Sequence, residues 1–242
     1  MCFLSQKNHP IEYFCADRSF FNSLLGELQR RSNGVLDQLN SSDLSNKTES
    51  VLGIPNPFRA TGKIKLIILG QDPTVKRKES RYSINVVLNL DKPNALTRYI
   101  QHICQEFNVS FYSNLYATNC LKNFFIQPPA SLGGQFLTKA SKFWLPLLRE
   151  ELEEFPNIPI VSLGQPLLRV LSGNDADQLK QYWGYQSSSN KGDSKNFKYL
   201  DRNILDRPIF PFPHQPSIRK VFYTKTFRHY VAFVLEHMRA AG

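Results

Sequence analysis

Three side chains stand where short apolar runs end: Asp72 after Ile64-Lys65-Leu66-Ile67-Ile68-Leu69, Asn114 after a segment beginning at Val109, and His214 after Ile209-Phe210-Pro211-Phe212. A carboxylate stabilises developing positive charge and orients a water, and an imidazole donates to a departing anion. A carboxamide offers a donor and an acceptor together. Each also has an ordinary structural use: Asp72 and Asn114 as turn residues, His214 as a satisfied structural or surface histidine. What joins the three is position. If the apolar runs are parallel strands, their carboxyl ends share one edge of the sheet, where open α/β sheets bind their ligands.

The elements that must hold them there are readable from the apolar pattern. Five aliphatic residues in six make 64–69 a strand covered on both faces, and Gly70 ends it. A second strand is expected from Val109 to Asn114, a third over 158–163 and a fourth over 209–212. Helical stripes lie between them: 18–31, then from Pro93-Asn94 to Phe107, from Phe136 to Leu148, a short piece ending at Leu171, and 225–238. This alternation predicts one α/β domain over 1–242, with a central, mainly parallel four-stranded sheet flanked by helices. Residues 32–50 and 174–205 are polar and read as long loops or insertions.

A chain of 242 residues suffices for one such domain with a substantial core. Its 30 Lys and Arg against 20 Asp and Glu leave a net charge of +10. That excess suits a polyanion such as nucleic acid, because each neutralised phosphate releases a counterion; a merely solvated basic surface is the alternative. The loop Lys76-Arg77-Lys78-Glu79-Ser80-Arg81 places part of this charge beside Asp72. No stretch has the ~18 apolar residues of a membrane span, and the first residues lack the apolar core of a secretory signal. The four cysteines are scattered without a Cys-x-x-Cys pair, which predicts reduced thiols and no zinc or iron–sulfur site. An intracellular protein is expected, in bacterial cytoplasm or a eukaryotic nucleus, working as a monomer without membrane, metal or cofactor.

The segment Asn56-Pro57-Phe58-Arg59-Ala60, followed by 63–69 and Gly70-Gln71-Asp72-Pro73, closely resembles the first signature of the uracil-DNA glycosylases. There the strand ends in Gly-Gln-Asp-Pro-Tyr-His. Pro213-His214-Gln215-Pro216-Ser217 resembles in part the second signature, His-Pro-Ser-Pro-Leu-Ser, and Asn114-Leu115-Tyr116-Ala117-Thr118 resembles an Asn-x-x-Leu-Thr strand exit. The resemblance implies a uracil-DNA glycosylase-like fold. It also implies a hydrolase that removes uracil, or a related damaged pyrimidine, from single- or double-stranded DNA in base excision repair.

In that reading Asp72 stabilises the oxocarbenium-like sugar and orients water, while His214 donates to the departing base at O2. Gln71, Thr74 and Asn114 line the base, with Asn114 reading N3–H and O4. Tyr82 or Ile84 takes the stacking place that a Phe holds in the family. Ile218 fills the space of the flipped base, and Ser217, Arg219 and Lys220 contact the backbone. Two departures stand out. Thr74 replaces the Tyr that blocks a 5-methyl group, so either thymine is admitted or another residue supplies the barrier. The stacking Phe is missing. Those departures motivate an alternative: a glycosylase-fold protein that binds DNA or a protein partner with little or no catalysis.

Overall fold

In the computed structural model, residues 18–133, 135–173, 175–185, 192–214 and 222–240 are described. The strands are β1 (Phe58–Arg59), β2 (Leu66–Gly70), β3 (Leu115–Asn119), β4 (Ile160–Leu163) and β5 (Ile209–Phe212). They form one sheet in the order β1-β3-β2-β4-β5. The last four are mutually parallel where they pair, and β1 is antiparallel to β3. The expected four parallel strands are thus part of a five-stranded mixed sheet. A two-residue edge strand is too short for its sequence to show alternation.

Every residue of β2, β3, β4 and β5 is buried, as strands covered by helices on both faces must be. Pro211 lies within β5, an edge strand, where a missing N–H breaks no ladder. The helices are α1 (Arg18–Asn40), α2 (Ala95–Glu106), α3 (Phe111–Asn114), α4 (Phe136–Glu153), α5 (Gln165–Leu171), α6 (Leu179–Tyr182) and α7 (Phe227–Ala240). Asn94 caps α2, its side chain accepting from Thr97 N–H at 2.9 Å. Among the described residues, no helix is long and apolar enough to cross a membrane.

Three expectations need correction. The second strand does not begin at Val109: Phe111–Asn114 is the helical turn α3, and β3 starts at Leu115. Residues 32–40 are not loop but the second half of α1, which packs on α4. Serines and asparagines there mask the stripe Val35, Leu36 and Leu39, the last fully buried. The polar stretch 174–205 is also more than an insertion, since Leu179, Tyr182, Trp183, Leu200 and Leu205 are buried in the core. Trp183 Nε1–H donates to the Pro211 carbonyl at 2.8 Å, and Leu200 pairs with Ile209. This segment therefore covers the outer edge of β5.

One face of β3 rests on a buried polar network. Lys122 Nζ donates to Glu151, to Thr118 Oγ1 at 2.9 Å and to the Asn119 carbonyl at 3.3 Å. Tyr116 OH donates to Glu151 Oε1 at 2.6 Å. Lys122 and Glu151 are only 5% and 3% exposed, so each charge depends on the other. Removing one partner strands the second in a low-dielectric interior. Lys122→Met is expected to cost about 3–5 kcal/mol of stability, read as a lower midpoint in urea unfolding at unchanged slope; an unchanged midpoint rules this out.

Candidate functional site

Strand register decides which residues meet at the carboxyl edge. Gly70 of β2 pairs with Asn119 of β3, Leu69 with Ser162 of β4, and Leu163 with Phe212 of β5. Gln71 and Asp72, Cys120, Gly164, and Pro213 and His214 accordingly leave the sheet on one side. The chain runs from β2 outward to β3 and from β4 outward to β5, in opposite directions across the sheet. The order reverses between β2 and β4, and the edge beside their carboxyl ends is the usual ligand position in such sheets.

Asp72 holds its carboxyl in a tight local frame. Thr74 N–H donates to Oδ1 and Gln71 Nε2–H to Oδ2, both at 2.7 Å. Thr74 Oγ1 in turn accepts from Phe125 N–H at 2.9 Å. The residue keeps some exposed surface, yet the carboxyl itself is enclosed by protein. Burial raises its pKa above the ordinary carboxylate value, outweighing the opposing hydrogen bonds from Thr74 and Gln71 and the charge of Arg81.

His214 is carried by the exit of β5. Gly164 N–H donates to the Phe212 carbonyl at 2.9 Å, and Tyr99 OH to the Pro213 carbonyl at 2.8 Å. Tyr223 OH donates to Tyr99, which ties the end of β5 to α2. Gly164 has φ +93°, a conformation that calls for glycine, and a β-carbon there would press on His214 Cβ at 3.3 Å. His214 is exposed by surface area, while its ring is crowded enough that desolvation lowers its pKa. At neutral pH it is a neutral imidazole that can donate one hydrogen bond.

Asn114 is not at this edge. It precedes the first residue of β3, so it lies a strand's length away, roughly 16 Å at ~3.3 Å per residue. Its amide is used locally, accepting from Ser110 N–H at 3.0 Å and donating to the Lys63 carbonyl at 2.9 Å. The asparagine at the carboxyl end is Asn119. It is 1% exposed, and neither amide atom finds a hydrogen-bond partner among the described residues. A β-carbon on Gly70 would sit 2.2 Å from Asn119 Oδ1 and 2.8 Å from Leu88 Cδ2. Only glycine in β2 leaves room for this amide. Leu88 reaches that place from a left-handed backbone, φ 56°, which is costly for a bulky residue.

Tyr82 is 63% exposed at the end of a 3-10 turn, and Ile84 is partly buried just beyond it. Among the described residues no hydrogen bond joins either side chain to Asp72 or Asn119. Ser217, Ile218, Arg219 and Lys220 lie outside the described residues. Cys120, next to Asn119, is buried and its thiol is pushed up to about 12, which removes it as a nucleophile. Among the described residues no three His, Cys, Asp or Glu side chains are grouped to hold a metal. The lining of a cavity of about 460 Å³ between α1 and α4 includes five glutamates, Glu27, Glu150, Glu151, Glu153 and Glu154, against one arginine, Arg31. Its charge is wrong for a phosphate backbone.

Asn119 and Leu88 are not among the residues that the sequence marks for the site, and Arg81, expected in the basic loop, is instead buried. The run Leu115-Tyr116-Ala117-Thr118-Asn119 carried the signal for the first, since its residues favour strand and end in an amide. Compared with known proteins, the chain matches no family model, and no curated protein is similar to it in sequence.

Because the native state holds the Asp72 proton more tightly than the unfolded chain, Asp72 removes stability as pH rises from its unfolded through its native pKa. Asp72→Asn is therefore expected to melt higher than wild type at neutral pH. The gap should close below pH ~3.9, where both states of the wild type are protonated. Coincident melting curves at neutral pH contradict this.

Proposed function

We propose that the chain is a DNA glycosylase that hydrolyses the N-glycosidic bond of uracil, or of a related damaged pyrimidine, in DNA undergoing base excision repair. The observation that carries the reading is the pairing of Gly70 with Asn119. It sets a buried amide, without a hydrogen-bond partner among the described residues, beside the loop that holds Asp72. An unpaired buried amide costs about 1–3 kcal/mol, a cost that a site reading a base edge recovers when the base binds. The N3–H and O4 of uracil match one acceptor and one donor of that amide; cytosine presents the opposite pattern.

In this reading the C1′–N1 bond breaks with its electron pair leaving on the base. Asp72, as carboxylate, stabilises the positive sugar and orients the water that attacks C1′. Neutral His214 donates to O2 of the departing anion. A neutral donor suits that role, since it stabilises charge where it develops without first protonating the base. The exposed Lys76 and Arg77 offer positive charge for the DNA backbone on the loop that follows Asp72. Thr74 turns its hydroxyl to Phe125 N–H, and its small side chain favours a pocket that admits 5-methyl pyrimidines.

The rival reading, a DNA-binding protein without catalysis, is favoured by the solvent-exposed position of Tyr82 in place of a stacked aromatic. The two separate in an alkali-cleavage assay on oligonucleotides carrying uracil (single-stranded, opposite G or opposite A) or thymine opposite G. Uracil release that is lost in Asp72→Asn is expected. The acid limb of kcat/KM should fall above the ordinary carboxylate pKa of ~3.9, because burial raises Asp72. Salt-sensitive DNA binding with no release from any substrate establishes the binding protein instead.

Asn119→Ala is expected to lower kcat/KM for uracil by about 10²-fold while leaving the melting temperature nearly unchanged, since it also removes an unpaired buried amide. An equal loss of activity and fold contradicts a reading role.

A further inference from the structure

Arg81 is 2% exposed, which is unusual for an arginine, and none of the ion pairs among the described residues includes it. Its donors go to main-chain carbonyls. Nε–H bonds to Val75 O at 2.9 Å, and Nη1–H to Phe125 O at 2.8 Å and Ile126 O at 3.2 Å. These acceptors belong to two loops, the one after β2 that carries Asp72 and the one after β3. A second bond joins the same loops, from Phe125 N–H to Thr74 Oγ1, and Thr74 N–H holds the Asp72 carboxyl. The guanidinium therefore clamps the frame of Asp72 from behind.

Carbonyl dipoles satisfy hydrogen-bond donors but do not cancel a net charge, and a buried cation ordinarily has a carboxylate counterpart. Asp72 lies on the loop that Arg81 holds at Val75, and the charge of Arg81 acts to lower its pKa against the effect of burial. A second carboxylate, Glu49, has its main-chain N–H on the Phe124 carbonyl and its side chain paired with Lys78 at 3.6 Å; the Cys120 thiol at the end of β3 is neutral near pH 7. We propose that Arg81 is a positioning residue for Asp72: it pins the Asp72 loop to the loop after β3 and sets a buried positive charge behind it. The kinetic part of this proposal rests on the glycosylase reading; the electrostatic part does not.

The test compares wild type, Arg81→Gln and Arg81→Lys by carboxyl-carbon NMR titration, with Asp72→Asn identifying the resonance. No substrate is needed, so the outcome is independent of whether the chain cleaves DNA. Arg81→Gln should titrate Asp72 higher than wild type, while Arg81→Lys, which keeps the charge, stays near wild type. A well-folded Arg81→Gln with an unchanged Asp72 titration overturns the proposal.

Should Arg81→Gln fail to fold, Arg81→Lys decides. A lysine cannot bridge the Val75, Phe125 and Ile126 carbonyls as a fork does. Shifted Val75 and Phe125 amide resonances support the clamp, and unmoved resonances overturn it. On an active wild type, Arg81→Lys should also lower kcat by about 10-fold to 10²-fold with little change in KM, and an unchanged kcat overturns the positioning role.

Discussion

The ladder between β2 and β3 runs past the ends of both strands, and the candidate site is built on that extension. Cys120 N–H donates to the Gly70 carbonyl and Leu121 N–H to the Gln71 carbonyl, both at 2.9 Å. Main-chain bonds between the two segments thus continue to the residue before Asp72, so the carboxylate leaves from a fixed backbone. The same register sets Asn119 against Gly70, where the lack of a β-carbon admits a buried amide. A register slip of one residue would turn Asn119 to the other face of the sheet.

Around that extension the polar groups divide into two layers. Behind β3, the Lys122–Glu151–Tyr116 network is satisfied within itself and contacts the Asn119 backbone. At the carboxyl edge, Asp72 is framed by Thr74 and Gln71, and Arg81 joins the loops behind it. Buried polar groups are tolerable only when paired, and nearly all of these are. Among the described residues the exceptions at the edge are the Asn119 amide and Ser162 Oγ, and an unpaired amide there is more readily explained by ligand recognition than by stability.

Much of the scaffold was legible because apolar runs report local burial. Leu66-Ile67-Ile68-Leu69 announces a covered strand, Asn94 announces a helix start, and the stripe of α7 announces a helix. Reading failed where composition and structure disagree. Val35, Leu36 and Leu39 are hidden among serines and asparagines, and Trp183 sits in a stretch of polar residues. Phe111 has the chemistry of a strand residue but begins a helical turn, which moved the expected end of β3 by five positions.

The sequence by itself determined that a carboxylate follows one buried strand and an imidazole another, and that the chain is basic enough to suit a polyanion. Those are properties of neighbouring residues and of totals, and neighbours and totals are what a sequence displays. Only the tertiary structure decided which asparagine shares the edge with Asp72, and where the guanidinium of Arg81 is spent. Both depend on pairing between segments more than 40 residues apart: Gly70 with Asn119, and Arg81 with Phe125. No local periodicity encodes such a pairing. It follows from the register in which two buried strands satisfy their main-chain hydrogen bonds.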